Sequence, residues 1–279
     1  MSSTATLWVV ATPIGNLGDF SSRAKQILAD ADVIAAEDTR HSRRLTTYLG
    51  ISTSMVSLHE HNEQARVDDI LARLADGQSI ALISDAGTPL ISDPGYRLVA
   101  GVREAGYAVI GVPGPCAAIT ALSIAGLATD RFVFEGFLPA KNTARRSRLQ
   151  ALADETRTLL FYESSHRIAA TAAELAVQWP ERRLVVAREL TKRHEQSQAM
   201  SAEALPDWLA ADDNRRRGEF VLVVEGTSNT RDTSPPISLD ALLDELVPVA
   251  GTKKAASIAA RLTGVTRNEA YKKAIDRNR

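Results

Sequence analysis

The sequence predicts an α/β protein made of two α/β domains and a small helical unit that follows them. Three observations predict this organisation. Short apolar runs alternate with segments of helical periodicity through most of the 279 residues. The pattern changes after Pro113-Gly114-Pro115. A stretch rich in Ser, Thr, Asn and Pro at residues 227–236 then separates both domains from a basic C-terminal region.

The first domain, residues 1–113, alternates strand-like and helix-like segments. Its predicted strands are residues 7–11, 33–36, 80–83 and 108–112. Its predicted helices are residues 20–31, 64–75 and 96–105. This alternation is typical of a parallel, doubly wound sheet, whose ligands bind beyond the carboxyl ends of the strands. We therefore expect the functional side chains in the loops that follow the strands.

The second domain, residues 114–227, keeps the α/β pattern. Its predicted strands are residues 132–137, 158–162, 184–187 and 220–224. Its predicted helices are residues 117–127, 167–178 and 205–211. Two of the strands end in mixed charged groups, at residues 161–167 and 188–195, and the first group adds aromatic rings. Aromatic rings stack on nucleobases and cations contact phosphates, which favours one shared cleft, although core packing explains Phe161 equally well.

The C-terminal extension, residues 237–279, is predicted to form three short helices. The residues that mark their ends are Ser238, Thr252, Gly264, and Thr266 with Glu269. Two helices joined by a glycine-containing turn resemble a helix-turn-helix. Residues 251–279 hold eight Lys or Arg against two carboxylates, which favours a polyanionic partner. A solvated helix surface explains the same charge equally well.

Composition limits the functional classes. The balance of 33 basic and 34 acidic side chains is typical of a soluble globular protein. The single cysteine, Cys116, excludes internal disulfides and multi-cysteine zinc sites. The uncharged stretch at residues 105–129 is interrupted by Gly111 and Pro113, so we predict no membrane span. No basic residue precedes the first apolar run, so we expect no secretory signal and a cytoplasmic location.

The most informative segment is residues 84–95, which follows the third predicted strand. It carries Asp85 and Asp93 together with two glycines and two prolines. Irregular backbone at the end of a buried strand exposes N–H and C=O groups to a ligand, as in a nucleoside pocket. A structural loop in which both carboxylates cap helices is the alternative.

Two other segments give weaker indications of a site. In the loop at residues 12–19, Pro13 stands where a dinucleotide fingerprint requires glycine, so an NAD site is disfavoured. The loop more simply lets a strand and a helix pack, or lets a substrate approach the backbone. His59 and Glu63 are one helical turn apart, but no third ligand is evident, so we predict no metal site.

Glu37 and Asp38 end the second predicted strand and precede a basic segment, residues 40–44, with three arginines and a histidine. Arg binds phosphate through two parallel hydrogen bonds, and a helix start adds N–H groups. A solvated run of charge is the alternative.

Six motifs occur in the same order as in the tetrapyrrole methylase superfamily. They lie at residues 10–19, 37–40, 57–63, 84–95, 113–118 and 161–167. Within that superfamily the chain resembles the RsmI family, the bacterial 16S ribosomal RNA cytidine 2'-O-methyltransferases. Gly87-Thr88-Pro89 stands where the tetrapyrrole enzymes have Gly-Asp-Pro, which favours the RNA branch. Cys116 replaces the family's usual Ser, a conservative difference.

The resemblance implies a methylase that binds S-adenosylmethionine in a cleft between its two domains. It implies a homodimer that acts on a cytidine in the decoding region of 16S ribosomal RNA in the 30S subunit. By motif position, the cofactor would contact Pro13, Asp85, Gly87, Thr88, Leu90, Ile91, Ala117, Ala118, and Phe161 or Tyr162.

Methyl transfer to a ribose 2'-hydroxyl requires orientation of that hydroxyl and a base for its proton. Our hypothesis is that Glu37, Asp38 or Asp93 is this base. The residues expected to contact RNA phosphates are Arg40, Arg43, Lys253, Lys254 and Arg267. Two alternatives stay open, a tetrapyrrole C-methyltransferase and a noncatalytic RNA-binding factor for ribosome assembly.

Overall fold

The structure, a computed structural model, describes residues 5–59, 63–228 and 238–276. The chain divides into two compact units, Met1–Thr227 and Ser228–Arg279. Within the described residues, the first unit contains two five-stranded sheets, and the second contains three helices around a core of their own.

The first sheet is entirely parallel, as the sequence predicts. Its strands are β1 (Thr6–Val10), β2 (Val33–Ala36), β3 (Ser54–Ser57), β4 (Ile80–Ile83) and β5 (Ala108–Val112). Their order is β3-β2-β4-β1-β5. The sequence pattern did not predict β3, because this edge strand has only two apolar residues and no fully buried side chain.

Helices cover both faces of the first sheet. They are α1 (Ser22–Asp30), α2 (Thr39–Leu49), α3 (Glu63–Ala75) and α4 (Tyr96–Glu104). Leu7 belongs to the core under α3 and α4, whereas Val10 belongs to the core under α1. α2 ends at Gly50, which adopts the left-handed conformation (φ 71°).

The second sheet is mixed. Its strands are β6 (Phe132–Phe137), β7 (Thr158–Ser164), β8 (Arg183–Arg188), β9 (Gln196–Ser201) and β10 (Glu219–Val224). Their order is β6-β7-β10-β8-β9, and only the β6–β7 pair is parallel. β7 and β8 therefore run in the same direction, on either side of β10. The sequence pattern did not predict β9, because this edge strand is mostly polar and has no buried side chain.

Four helices accompany the second sheet. They are α5 (Ala117–Ile124), α6 (Asn142–Ala151), α7 (Ile168–Gln178) and α8 (Leu205–Ala210). α5 packs on one face, and the other three pack on the opposite face. The sequence pattern did not predict α6, because Leu149 is its only buried apolar side chain.

The helical unit matches the predicted capping pattern. Its helices are α9 (Leu239–Ala250), α10 (Thr252–Thr263) and α11 (Arg267–Asp276). The Ser238 hydroxyl accepts a hydrogen bond from the N–H of Ala241, and Gly264 ends α10 in the left-handed conformation (φ 73°). Within the described residues, no helix has both the length and the apolar character that crossing a membrane requires.

Candidate active site

Two loops pair at the carboxyl ends of β1 and β4. The N–H of Thr12 donates to the carbonyl of Gly87 at 2.8 Å, and the N–H of Gly87 donates to the carbonyl of Thr12 at 3.1 Å. The Thr12 hydroxyl also donates to the carbonyl of Ser84 at 3.2 Å. Gly87 is left-handed (φ 87°), and a Cβ there would lie 3.3 Å from Ile14. A glycine is therefore favoured at the point where the two loops approach each other most closely.

A cavity of about 460 Å³ opens beside these loops. The carboxyl ends of β7 and β8 and the start of β10 form its opposite wall. Its volume falls within the range of small-molecule sites, roughly 300–1,000 Å³. The expected site residues that line it are Glu37, Asp85, Gly87, Thr88, Ile91, Asp93, Ala117 and Tyr162. With Ile14 of the first motif, the structure thus brings together residues from five of the six sequence motifs.

Two carboxylates in the cavity wall have raised pKa values. Burial raises the pKa of Glu37, and the negative charges of Asp93, Asp85 and Asp38 raise it further. Burial also raises the pKa of Asp93. A hydrogen bond from Ser84 lowers this pKa in part, and the negative charge of Asp85 raises it further. A partly desolvated carboxylate among other carboxylates binds a proton more tightly, which makes it a better base near neutral pH.

Asp38 has a different role from its neighbour Glu37. Its carboxylate accepts hydrogen bonds from the N–H groups of Arg40, at 2.8 Å, and of His41, at 3.4 Å, so it caps α2. The backbone and side-chain hydrogen bonds from Arg40 lower the pKa of Asp38. Its backbone N–H donates to Asp85 at 3.2 Å, but its side chain is not part of the cavity wall.

Strand alternation separates Phe161 from Tyr162. Phe161 is 0% exposed and lies in the core beneath α7, where it contacts Trp179. Tyr162 points to the opposite face of β7 and lines the cavity, with its ring edge-on to Phe134 and Phe137. Of the two aromatic residues expected at the cofactor, only Tyr162 reaches the cavity, because successive strand side chains point to opposite faces.

Three further expected residues lie beside the cavity and not in its wall. Pro13 lines a neighbouring groove. Leu90 packs against the core under α3 and α4. Ala118 is buried, and its N–H donates to the hydroxyl of Tyr162 at 3.1 Å. These positions support the wall without presenting a side chain to the cavity.

Lys192 connects the second wall to the first loop. A Cβ on Gly15 would lie only 2.4 Å from Cγ of Lys192, so the lysine stem covers this glycine. The Lys192 ammonium donates to Glu189 at 2.9 Å and to Glu219 at 2.7 Å. Burial lowers the pKa of Lys192, but the hydrogen bonds to both carboxylates outweigh it and raise the pKa overall.

Backbone strain is concentrated in two loops that border the cavity. Among the described residues, the non-glycine residues with positive φ are Leu90 (72°), Ser92 (69°), Glu189 (50°) and Thr191 (64°). Left-handed backbone costs energy for residues with a Cβ, and such residues are enriched at functional sites. The two loops, residues 84–95 and 189–192, are therefore strong candidates for ligand contact.

An ion pair between a buried carboxylate and a partly exposed arginine supports the end of β7. Glu163 is buried, and Arg167 lies 3.2 Å from its carboxylate. The Thr171 hydroxyl donates to Glu163 at 2.6 Å, and the N–H of Ser164 donates to it at 2.9 Å. This network fixes the backbone that presents Ser164 and Ser165 to the cavity.

The residues expected to bind phosphate are outside the cavity wall. Arg40 is 91% exposed and pairs with Asp38 at 3.4 Å. Arg43 is exposed on α2, and Lys253, Lys254 and Arg267 are exposed on the helical unit. Their contact with RNA stays a prediction.

Part of the second wall was not predicted from the sequence. Phe137 and Glu219 line the cavity, together with other residues near the start of β10. Leu190, which also lines it, belongs to the segment 188–195 that was expected at a shared cleft. Glu219 begins β10, so its position at the boundary of a strand was the available signal. The placement of β10 between β7 and β8 depends on long-range pairing that local patterns do not contain.

The structure describes only part of the His59 and Glu63 pair, because residues 60–62 and the Glu63 side chain lie outside the described residues. Within the part that is described, no group of three or more His, Cys, Asp or Glu side chains could hold a metal ion.

Comparison with known proteins identifies the family. The sequence profile of the Tetrapyrrole (Corrin/Porphyrin) Methylases matches residues 6–206, and that of the RsmI C-terminal HTH domain matches residues 233–278. Proteins from Escherichia coli O157:H7 and Pseudomonas aeruginosa are each 50% identical over 278 residues, which is 99% of this chain and 96% and 98% of theirs. Both are named Ribosomal RNA small subunit methyltransferase I. The chain belongs to this family of tetrapyrrole methylases.

Solved structures share the fold of this methylase. Cobalt precorrin-4 methyltransferase is 17% identical with a TM-score of 0.59, over 80% of this chain and 96% of that one. Uroporphyrin-III C-methyltransferase from Thermus thermophilus, complexed with S-adenyl homocysteine, is 16% identical with a TM-score of 0.54, over 79% and 97%. These structures confirm the expected methylase fold, whereas the family profiles and the 50% identical relatives confirm the resemblance inferred from the six motifs.

Proposed function

We propose that this methylase transfers the methyl group of S-adenosylmethionine to the ribose 2'-hydroxyl of a cytidine in 16S ribosomal RNA. The observation that carries the proposal is the cavity at the strand ends, which is lined by Glu37 and Asp93 and closed by Tyr162. The names of the relatives support a ribosomal RNA of the small subunit as the substrate. The 2'-oxygen and the cytidine are the finer part of the proposal, and they rest on the family resemblance.

The cavity fits the chemistry of S-adenosylmethionine. Ile14, Ile91 and Leu190 offer apolar surface to an adenine ring. Acidic side chains also line the cavity, while none of the described residues in its wall is a lysine or arginine. This negative environment stabilises a cationic ligand, such as one with a sulfonium and an ammonium group. When bound, the cofactor supplies a methyl carbon activated by the sulfonium.

Glu37 is the base in this proposal. A 2'-hydroxyl that attacks a methyl carbon loses its proton, and a carboxylate in the wall accepts it. Glu37 lies in the wall and has a raised pKa, whereas Asp38 is engaged with α2 and has a lowered pKa. A positioned base of this kind contributes roughly 10²- to 10⁴-fold to the rate.

The distribution of charge favours RNA over a tetrapyrrole. A polycarboxylate macrocycle would bring further negative charge into a cavity that already contains Glu37, Asp85 and Asp93. A ribose hydroxyl is neutral, and the phosphates beside it stay outside, where α2 presents its arginines. No feature of the site favours a noncatalytic RNA-binding factor, because such a factor has no need of a strained, acid-lined cavity.

The proposal includes the organisation expected from the sequence. Residues 1–113 and 114–227 are the two α/β domains that form the walls, and residues 237–279 are an RNA-binding extension. The protein acts in the cytoplasm, as a homodimer, on RNA in the 30S subunit.

The test is methyl transfer in vitro. Purified full-length protein is incubated with labelled S-adenosylmethionine and small ribosomal subunits that lack the modification, and the RNA is digested to nucleosides. The proposal predicts label in 2'-O-methylcytidine at one position. Label on a base, or label in an added tetrapyrrole and none in RNA, contradicts it. Complete absence of transfer supports the noncatalytic alternative.

A further inference from the structure

A groove lies next to the cavity, in the first domain of the methylase. It has a volume of about 350 Å³ and runs between the loop at residues 12–18 and α2. Asp85 lines both the groove and the cavity, so the two spaces are neighbours. Arg40 and Arg43, the two α2 arginines expected to contact phosphate, do not line this groove.

One face of α2 forms a wall of the groove. His41, Arg44, Leu45 and Tyr48 are spaced three and four residues apart, which places them on the same side of the helix. Tyr48 is 69% exposed, and across the groove Leu17 is 43% exposed. The groove therefore combines an arginine with an exposed aromatic ring and an apolar side chain.

A buried hydroxyl beside the groove lacks a partner among the described residues. Ser42 lines the groove and is 3% exposed. Within the residues that the structure describes, its Oγ has no hydrogen-bond partner. Buried polar groups without partners are rare in folded proteins, because each costs free energy. The Oγ atom is itself buried, so this hydroxyl is not offered to a ligand in the groove, and the exposed side chains of the groove carry the argument for binding.

We propose that this groove binds the nucleotide of the substrate strand that flanks the target cytidine. Arg44 contacts the phosphate of this nucleotide. The base of the nucleotide stacks on the Tyr48 ring and packs against Leu17. Single-stranded RNA is recognised by this combination of aromatic stacking and cationic side chains. The occupant is a nucleic acid strand and not a second protein copy, because the groove pairs a cation with a stacking surface and lies beside the proposed donor cavity. This inference rests on the proposed function, since it needs an RNA substrate.

The test uses two substitutions with different readouts. Tyr48→Ala should weaken binding of a labelled single-stranded oligoribonucleotide, and raise the KM for small subunits, by about tenfold, with an unchanged salt dependence of RNA binding. Arg44→Gln should also weaken binding, and it should reduce the slope of log Kd against log salt by about 0.7, as loss of one phosphate contact does. Both variants should bind S-adenosylmethionine with the affinity of the unmodified protein.

A matched control lies on α4, in the same domain as the groove. The double variant Tyr96→Ala/Arg103→Ala removes an exposed ring and an exposed arginine outside the groove, and it should leave RNA binding and KM unchanged. Equal RNA binding by the groove variants and the unmodified protein overturns the groove assignment while leaving the proposed function in place. Loss of self-association by Tyr48→Ala with intact RNA binding assigns the groove to a second copy and also overturns it. Failure of the unmodified protein to bind or methylate RNA overturns the proposed function itself.

Discussion

The hydroxyl of Tyr162 accepts a hydrogen bond of 3.1 Å from the backbone N–H of Ala118. This bond joins the cavity face of β7 to the first turn of α5, so it connects the wall of the cavity with the segment that follows Pro113-Gly114-Pro115. Burial raises the pKa of Tyr162, so its phenol stays protonated in the physiological range. The ring therefore acts through its shape and its hydrogen bond, not as a base.

Tyr162→Phe should retain the ring and lose this hydrogen bond. Because Ala118 is buried, its N–H is left without that partner, and we expect the free energy of unfolding to fall by about 1–3 kcal/mol. Because Tyr162 lines the cavity, we also expect the affinity for S-adenosylmethionine to fall. Denaturant unfolding and calorimetry measure the two effects. Tyr107→Phe, which removes a tyrosine hydroxyl from the first domain, is the control. An equal loss of stability in Tyr107→Phe would show that the hydrogen bond of Tyr162 does not account for the effect.

Glu37→Gln should lower kcat by roughly 10²- to 10⁴-fold and leave the affinity for S-adenosylmethionine within a few-fold of the original value. The amide keeps the shape of the side chain but cannot accept the proton. Asp38→Asn is the matched control, because asparagine caps a helix about as well as aspartate. Single-turnover methylation measures both variants. A large loss of kcat in Asp38→Asn, together with full turnover in Glu37→Gln, would show that Asp38 and not Glu37 is the base.

The pH dependence of methylation should respond to Asp93. The base is active only when deprotonated, so the rate falls as the pH drops through the raised pKa of Glu37. The charge of Asp93 contributes to that raised pKa, after burial. Asp93→Asn removes this charge and should move the acidic fall of kcat to lower pH. A shift to higher pH, or no shift in a variant that still folds and binds the donor, would contradict this coupling.

Gly15→Ala should destabilise the protein. Gly15 has φ 148°, and the new methyl group would lie 2.4 Å from Cγ of Lys192, whose ammonium is held by two carboxylates. We expect a loss of about 1–3 kcal/mol in the free energy of unfolding. Lys192→Ala in the same chain should recover the steric part of this loss, which a double-mutant cycle measures. Additive effects would show that the two residues do not interact.

The helical unit should contribute salt-dependent RNA affinity. Replacing Lys253, Lys254 and Arg267 with alanine removes three exposed cations and should reduce the slope of log Kd against log salt by about 2 for single-stranded RNA. Deleting residues 237–279 should reduce the slope at least as much. Affinity measurements across a salt series test this, and an unchanged slope would exclude the unit from RNA binding.

Sequence patterns predicted the strands that are rich in apolar residues and missed the strands that are not. β2 and β4 have the predicted bounds, because central strands buried on both faces are continuous apolar runs. The edge strands β5 and β6 also have the predicted bounds, because both are rich in apolar residues although several of their side chains are exposed. β3 and β9 lie at sheet edges and lack such runs, since their side chains are partly solvated. The choice between Phe161 and Tyr162 was open in the sequence, because alternation separates the two faces without telling which one borders the cleft.

The first wall of the site could be predicted from the order of parallel strands. Glu37, Asp85 and Asp93 follow parallel strands, and the carboxyl ends of such strands meet at one edge of the sheet. Glu219 could not be placed in the same way, because its position depends on β10 lying between β7 and β8.

The central claim is that the cavity holds the methyl donor against Glu37. A crystal structure of the full-length protein with S-adenosylhomocysteine tests this most directly. The account predicts the adenine between Ile91 and Leu190, with the sulfur directed towards Glu37 and Asp93. Density for the ligand at another place, or an empty cavity at saturating ligand, would contradict it.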